Sequence, residues 1–150
     1  MSCFPDTSFL CALYRAQVNS PKADRYMASL PGSLGVSSLL LLEFRQSVRL
    51  QIRLHLNDRT KGFTQAEGQQ MLNDLQIDLN AGLLTTTPMD WSAVHQRAEA
   101  LSSAHKAAGG HRLVDILHVA SALHLGVSEF LTFDGNQKKL AEAEGLIVPL

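Results

Sequence analysis

The sequence predicts a three-layer α/β/α sandwich built on a mostly parallel central sheet of four to five strands. Three observations lead there. Short apolar segments alternate with longer stretches of helical spacing along the whole chain, most of those stretches begin or end on a recognisable cap, and nothing in the composition marks an internal linker or repeat. The 150 residues are 45% apolar and 18% charged, enough to bury one core, so disorder is excluded and a single domain over residues 1–150 is expected.

Each element has its own warrant. Cys3-Phe4-Pro5 is a short apolar strand running into Asp6, and Ser8 to Val18 has helical spacing that stops before Pro21. A short helix from Ala23 to Leu30 ends at Pro31-Gly32, and Leu34 to Ser37 is a strand feeding a long helix over Ser38 to Asn57. Thr64 and Glu67 have the spacing of a capping box, which starts a helix at Gln65 that runs to Asn80 and closes at Gly82. Leu83 to Thr86 is strand. Asp90 caps a helix over Trp91 to Ala107 that Gly109-Gly110 terminates, and a further helix over Leu113 to Leu125 is closed by Gly126. Glu129 to Phe133 is strand, Gln137 to Ala143 is helix stopped by Gly145, and Leu146 to Pro149 is a last strand.

Composition removes several classes of function. No apolar run approaches the roughly 20 residues a membrane-spanning helix requires, and no secretory signal pattern opens the chain, so a cytoplasmic protein without a membrane partner is expected. Thirteen basic against fourteen acidic residues leave a net charge of −1, which excludes coating nucleic acid by bulk electrostatics. The six histidines and two cysteines show no zinc spacing, and Cys3 and Cys11 read as reduced, packed thiols.

The informative residues are four carboxylates. Along the long helix, Leu39, Leu50 and Leu54 fall within roughly 40° of Glu43, which puts this acid on an apolar stripe, while Arg45, Arg49 and Arg53 line another face. Asp115 repeats the pattern, with Val119, Ala122 and Gly126 within about 40° of it. Both acids lie toward helix N-termini, where the dipole favours negative charge. Asp6 and Asp134 follow apolar segments directly and so fall at the C-terminal ends of strands, the edge at which open α/β sheets bind ligands. Carboxylates gathered there repel one another unless some protonate or a hard divalent ion binds, and oxygen-only ligands favour Mg2+ or Mn2+. Each acid also has a bland role open to it: Asp6 and Asp115 as helix caps, Asp134 as a turn residue before Gly135. Glu43, inside a helix, has none.

In these contexts the sequence resembles the PIN-domain family, in particular the VapC-type toxins. The matching pieces are Pro5-Asp6-Thr7-Ser8-Phe9-Leu10, Leu41-Leu42-Glu43-Phe44, the run from Arg112 through Asp115 to Leu123, and Phe130-Leu131-Thr132-Phe133-Asp134. The resemblance implies a single PIN-like nuclease domain acting as a ribonuclease on RNA. It further implies that Asp6, Glu43, Asp115 and Asp134 hold Mg2+ or Mn2+, that Thr132 helps near the activated water, that a VapB-like antitoxin inhibits the chain, and that it forms a homodimer. A hard cation there would acidify a water, align it with the scissile phosphate and stabilise the leaving oxygen. Two positions depart from the family pattern: Leu113 stands where a small or polar residue is common, and Asn136 stands where some members carry a further acid.

Arg112, three residues before Asp115, is placed to hold a phosphate or to pair with an acid. His118 lies about 60° from Asp115 around its helix and reads as a packed core residue, and His124, about 180° away, faces elsewhere. Two other functions compete with the nuclease: a PIN-type RNA-binding or processing protein without a toxin role, and a receiver-like phosphoacceptor domain. The receiver wants a Lys just after a late strand, and Lys138 and Lys139 fall inside a helix pattern instead.

Overall fold

The computed structural model describes residues 1–107 and 110–150, and the chain forms two compact units: Met1–Phe9 with Thr87–Leu150, and Leu10–Thr86. The first unit is made from the two ends of the chain. Strand β1 (Cys3–Pro5) opens it, and its Pro5 leads directly into helix α1 (Thr7–Tyr14), whose remainder belongs to the second unit.

The second unit continues with α2 (Ser20–Ser29), β2 (Leu34–Val36), α3 (Ser38–Asn57), α4 (Gln65–Ala81) and β3 (Leu84–Thr86). β2 and β3 pair in parallel, Leu34 opposite Leu84 and Val36 opposite Thr86. The Ser37 side chain caps α3 at the Leu40 N–H, and the capping box at Thr64 forms as its spacing predicts, with the Glu67 carboxylate accepting from the Thr64 N–H. α1 ends four residues before Val18, because the Ser20 hydroxyl donates to the carbonyls of Ala12 and Arg15 and closes that terminus. α2 then starts three residues before Ala23, with Pro21 in its first turn, where the missing N–H leaves nothing unsatisfied.

The buried row of α3 is Leu40, Leu41, Phe44 and Val48. This corrects the stripe expected through Leu39, Glu43, Leu50 and Leu54: Leu50 is 49% exposed, and Leu39, Glu43 and Leu54 are half-buried. The four successive leucines at 39–42 let two neighbouring rows fit the helical period, and packing selects the one that carries Phe44. Glu43 flanks the buried row, about 60° from Leu40.

The rest of the first unit comprises α5 (Trp91–Ala104), α6 (Leu113–Leu125), β4 (Glu129–Leu131) and α7 (Gly135–Ala143). β1 and β4 pair in parallel, Cys3 opposite Glu129 and Pro5 opposite Leu131, and the ladder extends to the Asp6 N–H, which donates to the Leu131 carbonyl at 3.0 Å. Phe4 and Phe130, one from each strand, are fully buried in a core with Val94, Leu101, Val119 and Leu140 from the three helices. Asp90 and Asp134 cap α5 and α7, and Gly126 closes α6 in the left-handed conformation at φ 68°. α5 ends at Ala104, three residues before the expected Ala107; of the Gly109-Gly110 stop, Gly109 lies outside the described residues.

The α/β class with parallel strands is therefore as predicted. Among the described residues the hydrogen-bonded ladders hold two strands each, and the last expected strand, Leu146 to Pro149, contributes a single parallel bridge between Ile147 and Glu129.

Candidate active site

Asp6 sits one residue past the end of β1, Thr132 one residue past the end of β4, and the ladder between those strands sets the two side by side. Asp6 is buried, 3% exposed, and three donors converge on it. Its Oδ1 accepts from the Phe9 N–H at 3.0 Å and from the Ser8 hydroxyl at 2.7 Å, and its Oδ2 accepts from the Thr132 hydroxyl at 2.6 Å. The Phe9 bond is a helix cap, so the bland role open to Asp6 is real and coexists with a place in a site. Burial pushes its carboxyl up to about 6; the Thr132, Ser8 and Phe9 bonds and the nearby His118 pull the other way, because each favours the charged form.

The same hydroxyls organise the turn after β4. Thr132 Oγ1 accepts from the Asp134 N–H at 3.0 Å, and Ser8 Oγ accepts from the Phe133 N–H at 2.8 Å. Asp134 spends Oδ1 capping α7 at the Gln137 N–H, 2.8 Å away. Its backbone is thus bound to the same Thr132 hydroxyl that binds Asp6.

Asp115 lies in the first turn of α6, on a helix face whose Val119 and Ala122 are fully buried, as its spacing predicted. Its side chain is 18% exposed and its Oδ2 pairs with Arg112 Nε at 3.4 Å; the Arg112 side chain, 83% exposed, reaches out from the N-cap position. His118, one turn along α6, is fully buried as expected and close enough for its charge to act on Asp6. Glu43 belongs to the other unit, half-buried on α3.

Among the described residues no group of three or more His, Cys, Asp or Glu side chains is gathered tightly enough to hold an ion as it stands. The donor chemistry nevertheless suits a hard cation. The groups that meet are carboxylate and hydroxyl oxygens, and Asp6 Oδ2, Asp134 Oδ2 and Asp115 Oδ1 each retain an acceptor position beyond the hydrogen bonds described.

The PIN-domain family model matches residues 3–143. The chain belongs to the PIN-domain family. Solved structures with the same fold include VapC20 of Mycobacterium tuberculosis, a toxin that cleaves the sarcin–ricin loop, at 21% identity and a TM-score of 0.66 with 97% of each chain covered. A toxin–antitoxin complex from Klebsiella pneumoniae is similar at 17% identity and a TM-score of 0.61, covering 100% of this chain and 98% of that one. FitAcB of Neisseria gonorrhoeae is similar at 17% identity and a TM-score of 0.60, covering 97% and 95%. No curated protein sequence matches. The match runs through both compact units of this PIN domain, and no helix among its described residues is long and apolar enough to cross a membrane.

Sequence reasoning missed Ser8 as a member of the site. Its signal was its place two residues after Asp6, where a hydroxyl can turn back on the carboxylate; its bond to Phe133 joins opposite ends of the chain and has no local signature.

Proposed function

We infer that this PIN domain is an endoribonuclease that uses Mg2+ or Mn2+ to hydrolyse RNA phosphodiester bonds, and that it acts as the toxin of a VapBC-type pair. The observation that carries the reading is Asp6. It is a carboxylate buried at a strand end, tied through the Thr132 hydroxyl to the turn bearing Asp134, in a family member whose fold is shared with an RNA-cleaving toxin. Asp6, Asp115 and Asp134 would hold the ion, and the family motif around Glu43 would add that residue to the set. A bound divalent ion supplies positive charge for the scissile phosphate and acidifies the attacking water. Thr132 holds Asp6 oriented, and Arg112, whose exposed guanidinium extends from the N-cap position of α6, binds a phosphate of the substrate.

A VapB-like antitoxin is the expected inhibitor, the chain pairs as a homodimer, and the cytoplasm is the place of action; the likeness to a toxin–antitoxin complex supports the first of these. Family membership leaves the receiver-like alternative without support.

The test is Mn2+ binding and RNA cleavage by the purified chain beside Asp6→Asn and Asp115→Asn, with circular dichroism to verify folding. Both variants are expected to lose cleavage by at least about a hundredfold while staying folded. Wild-type protein that binds no Mn2+, with variants that cleave as well as it does, overturns the reading. Induced expression is expected to arrest growth unless the neighbouring antitoxin gene is co-expressed. Cleavage without arrest would support an RNA-processing PIN domain instead.

A further inference from the structure

Resting on the nuclease reading, we propose that Ser8 is a positioning residue of the active site: its hydroxyl fastens the turn that carries Asp134 to the carboxylate of Asp6. The hydroxyl lies between two partners contributed by opposite ends of the chain. It donates to Asp6 Oδ1 at 2.7 Å and accepts from the Phe133 N–H at 2.8 Å. Thr132 does the matching work on the other carboxylate oxygen, donating to Oδ2 and accepting from the Asp134 N–H.

The two hydroxyls thus form parallel bridges, each running from one oxygen of Asp6 to one of two successive backbone N–H groups. The arrangement is directional. A hydroxyl has one proton, and an N–H already pointing at its oxygen steers that proton to the opposite side, here onto the carboxylate. Both Asp6 oxygens are then held by neutral donors, and the turn cannot rotate without breaking a bond to one of the hydroxyls that hold Asp6. The Phe9 and Phe133 rings, stacked with centroids 6.1 Å apart, hold the same two segments together beside the bridge. Ser8 occupies the second residue of α1, so the helix start and not a flexible loop sets its position. Its role is distinct from holding the ion: it aims two residues that do.

The experiment compares Ser8→Ala, Ser8→Cys and Ser8→Thr in the full chain. Amide exchange at Phe133 and Gln137 is read by NMR on metal-free protein, and Mn2+ affinity is read by calorimetry. Losing the bridge should speed exchange at Phe133 by about fivefold to tenfold in the Ala and Cys variants, with Gln137, capped by Asp134, unchanged. Mn2+ affinity should fall by about tenfold to a hundredfold in the same two variants, and Thr, which keeps the hydroxyl, should restore both readouts. The Cys variant keeps the size of the side chain with a poor donor, so it reports even where Ala perturbs folding.

Wild-type exchange at Phe133 and wild-type Mn2+ affinity in the Ala and Cys variants would overturn the proposal, as would a Thr variant no better than Ala. Failure of the underlying reading looks different: wild-type protein then binds no Mn2+, and exchange at Phe133 alone decides whether Ser8 holds the turn.

Discussion

Asp6 caps α1 at the Phe9 N–H and is also the carboxylate on which the proposed site is centred, and its titration exposes the conflict. An aspartate in the unfolded chain gives up its proton near 3.8, whereas burial delays this in the folded protein to about 6. Between those values the folded state holds a proton that the unfolded state has lost. This group's contribution to metal-free stability is therefore complete below about 3.8 and is lost as pH rises through about 6. The shift corresponds to about 3 kcal/mol at 1.36 kcal/mol per unit of pH. Asp6→Asn removes the titrating group; its Oδ1 can still accept from the Ser8 hydroxyl and the Phe9 N–H, and its Nδ2 can donate to the Thr132 oxygen. In chelator it should match wild type at pH 4 and exceed it by about 3 kcal/mol at pH 7.5, as read by urea unfolding. A wild-type minus variant difference that stays flat with pH would refute this origin. Saturating Mg2+ should abolish the wild-type deficit at pH 7.5, since an ion held by the carboxylate replaces the missing proton.

At the level of the element, local chemistry made most of the fold legible in advance. The capping box at Thr64, the Asp90 cap and the Gly82 and Gly126 stops act within one helical turn, and the structure places those termini within a residue of where the sequence puts them. The misses share the opposite property. α1 ends early because of Ser20, and the α3 row is chosen by tertiary packing among several leucines. The α3–α4 connection carries a constraint of the same hidden kind. Gly62 adopts φ 60°, and a Cβ there would lie 2.0 Å from the Gln51 carbonyl oxygen; Gly82 adopts φ 76° with open space around it. Gly82→Ala should cost about 1 kcal/mol from its backbone conformation alone, and Gly62→Ala about 3 kcal/mol or more because the helix carbonyl must also move. Thermal unfolding of the two variants side by side checks this. Equal losses would mean that the turn can shift away from α3 freely.

For the molecule as a whole, the proposed site's acids can be picked out one by one, while the contacts that link their segments cannot. Asp6 and the turn bearing Asp134 are joined by parallel pairing of strands from the two ends of the chain, which no local pattern specifies, whereas Asp115 stands out by falling on an apolar helix face and Glu43 lies beside the buried α3 row instead of on the stripe expected for it. Charge is also a whole-molecule property, and under the nuclease reading it bears on how an RNA substrate would be held. A net charge of −1 provides no general attraction for a polyanion, so binding depends on a small number of local cations. Arg112 is one; Arg45, Arg49 and Arg53, with the latter two exposed, form a second group on α3. Salt dependence tells the two cases apart. For single-stranded RNA the slope is about −0.7 per phosphate neutralised, so raising salt from about 50 to 200 mM weakens binding by about threefold for one contact and about sevenfold for two. Engaging all four arginines would weaken it by about fiftyfold. The charge balance and the place of Arg112 beside Asp115 predict the shallow dependence, read as the apparent affinity of the cleavage-deficient Asp6→Asn variant, which keeps the Arg112–Asp115 pair, for a short RNA across that salt range. Arg112→Ala should flatten the slope by about one contact, and Arg49→Ala should leave it unchanged. A steep slope that Arg49→Ala relieves in that background would instead assign the α3 stripe to the RNA and leave Arg112 to its ion pair with Asp115.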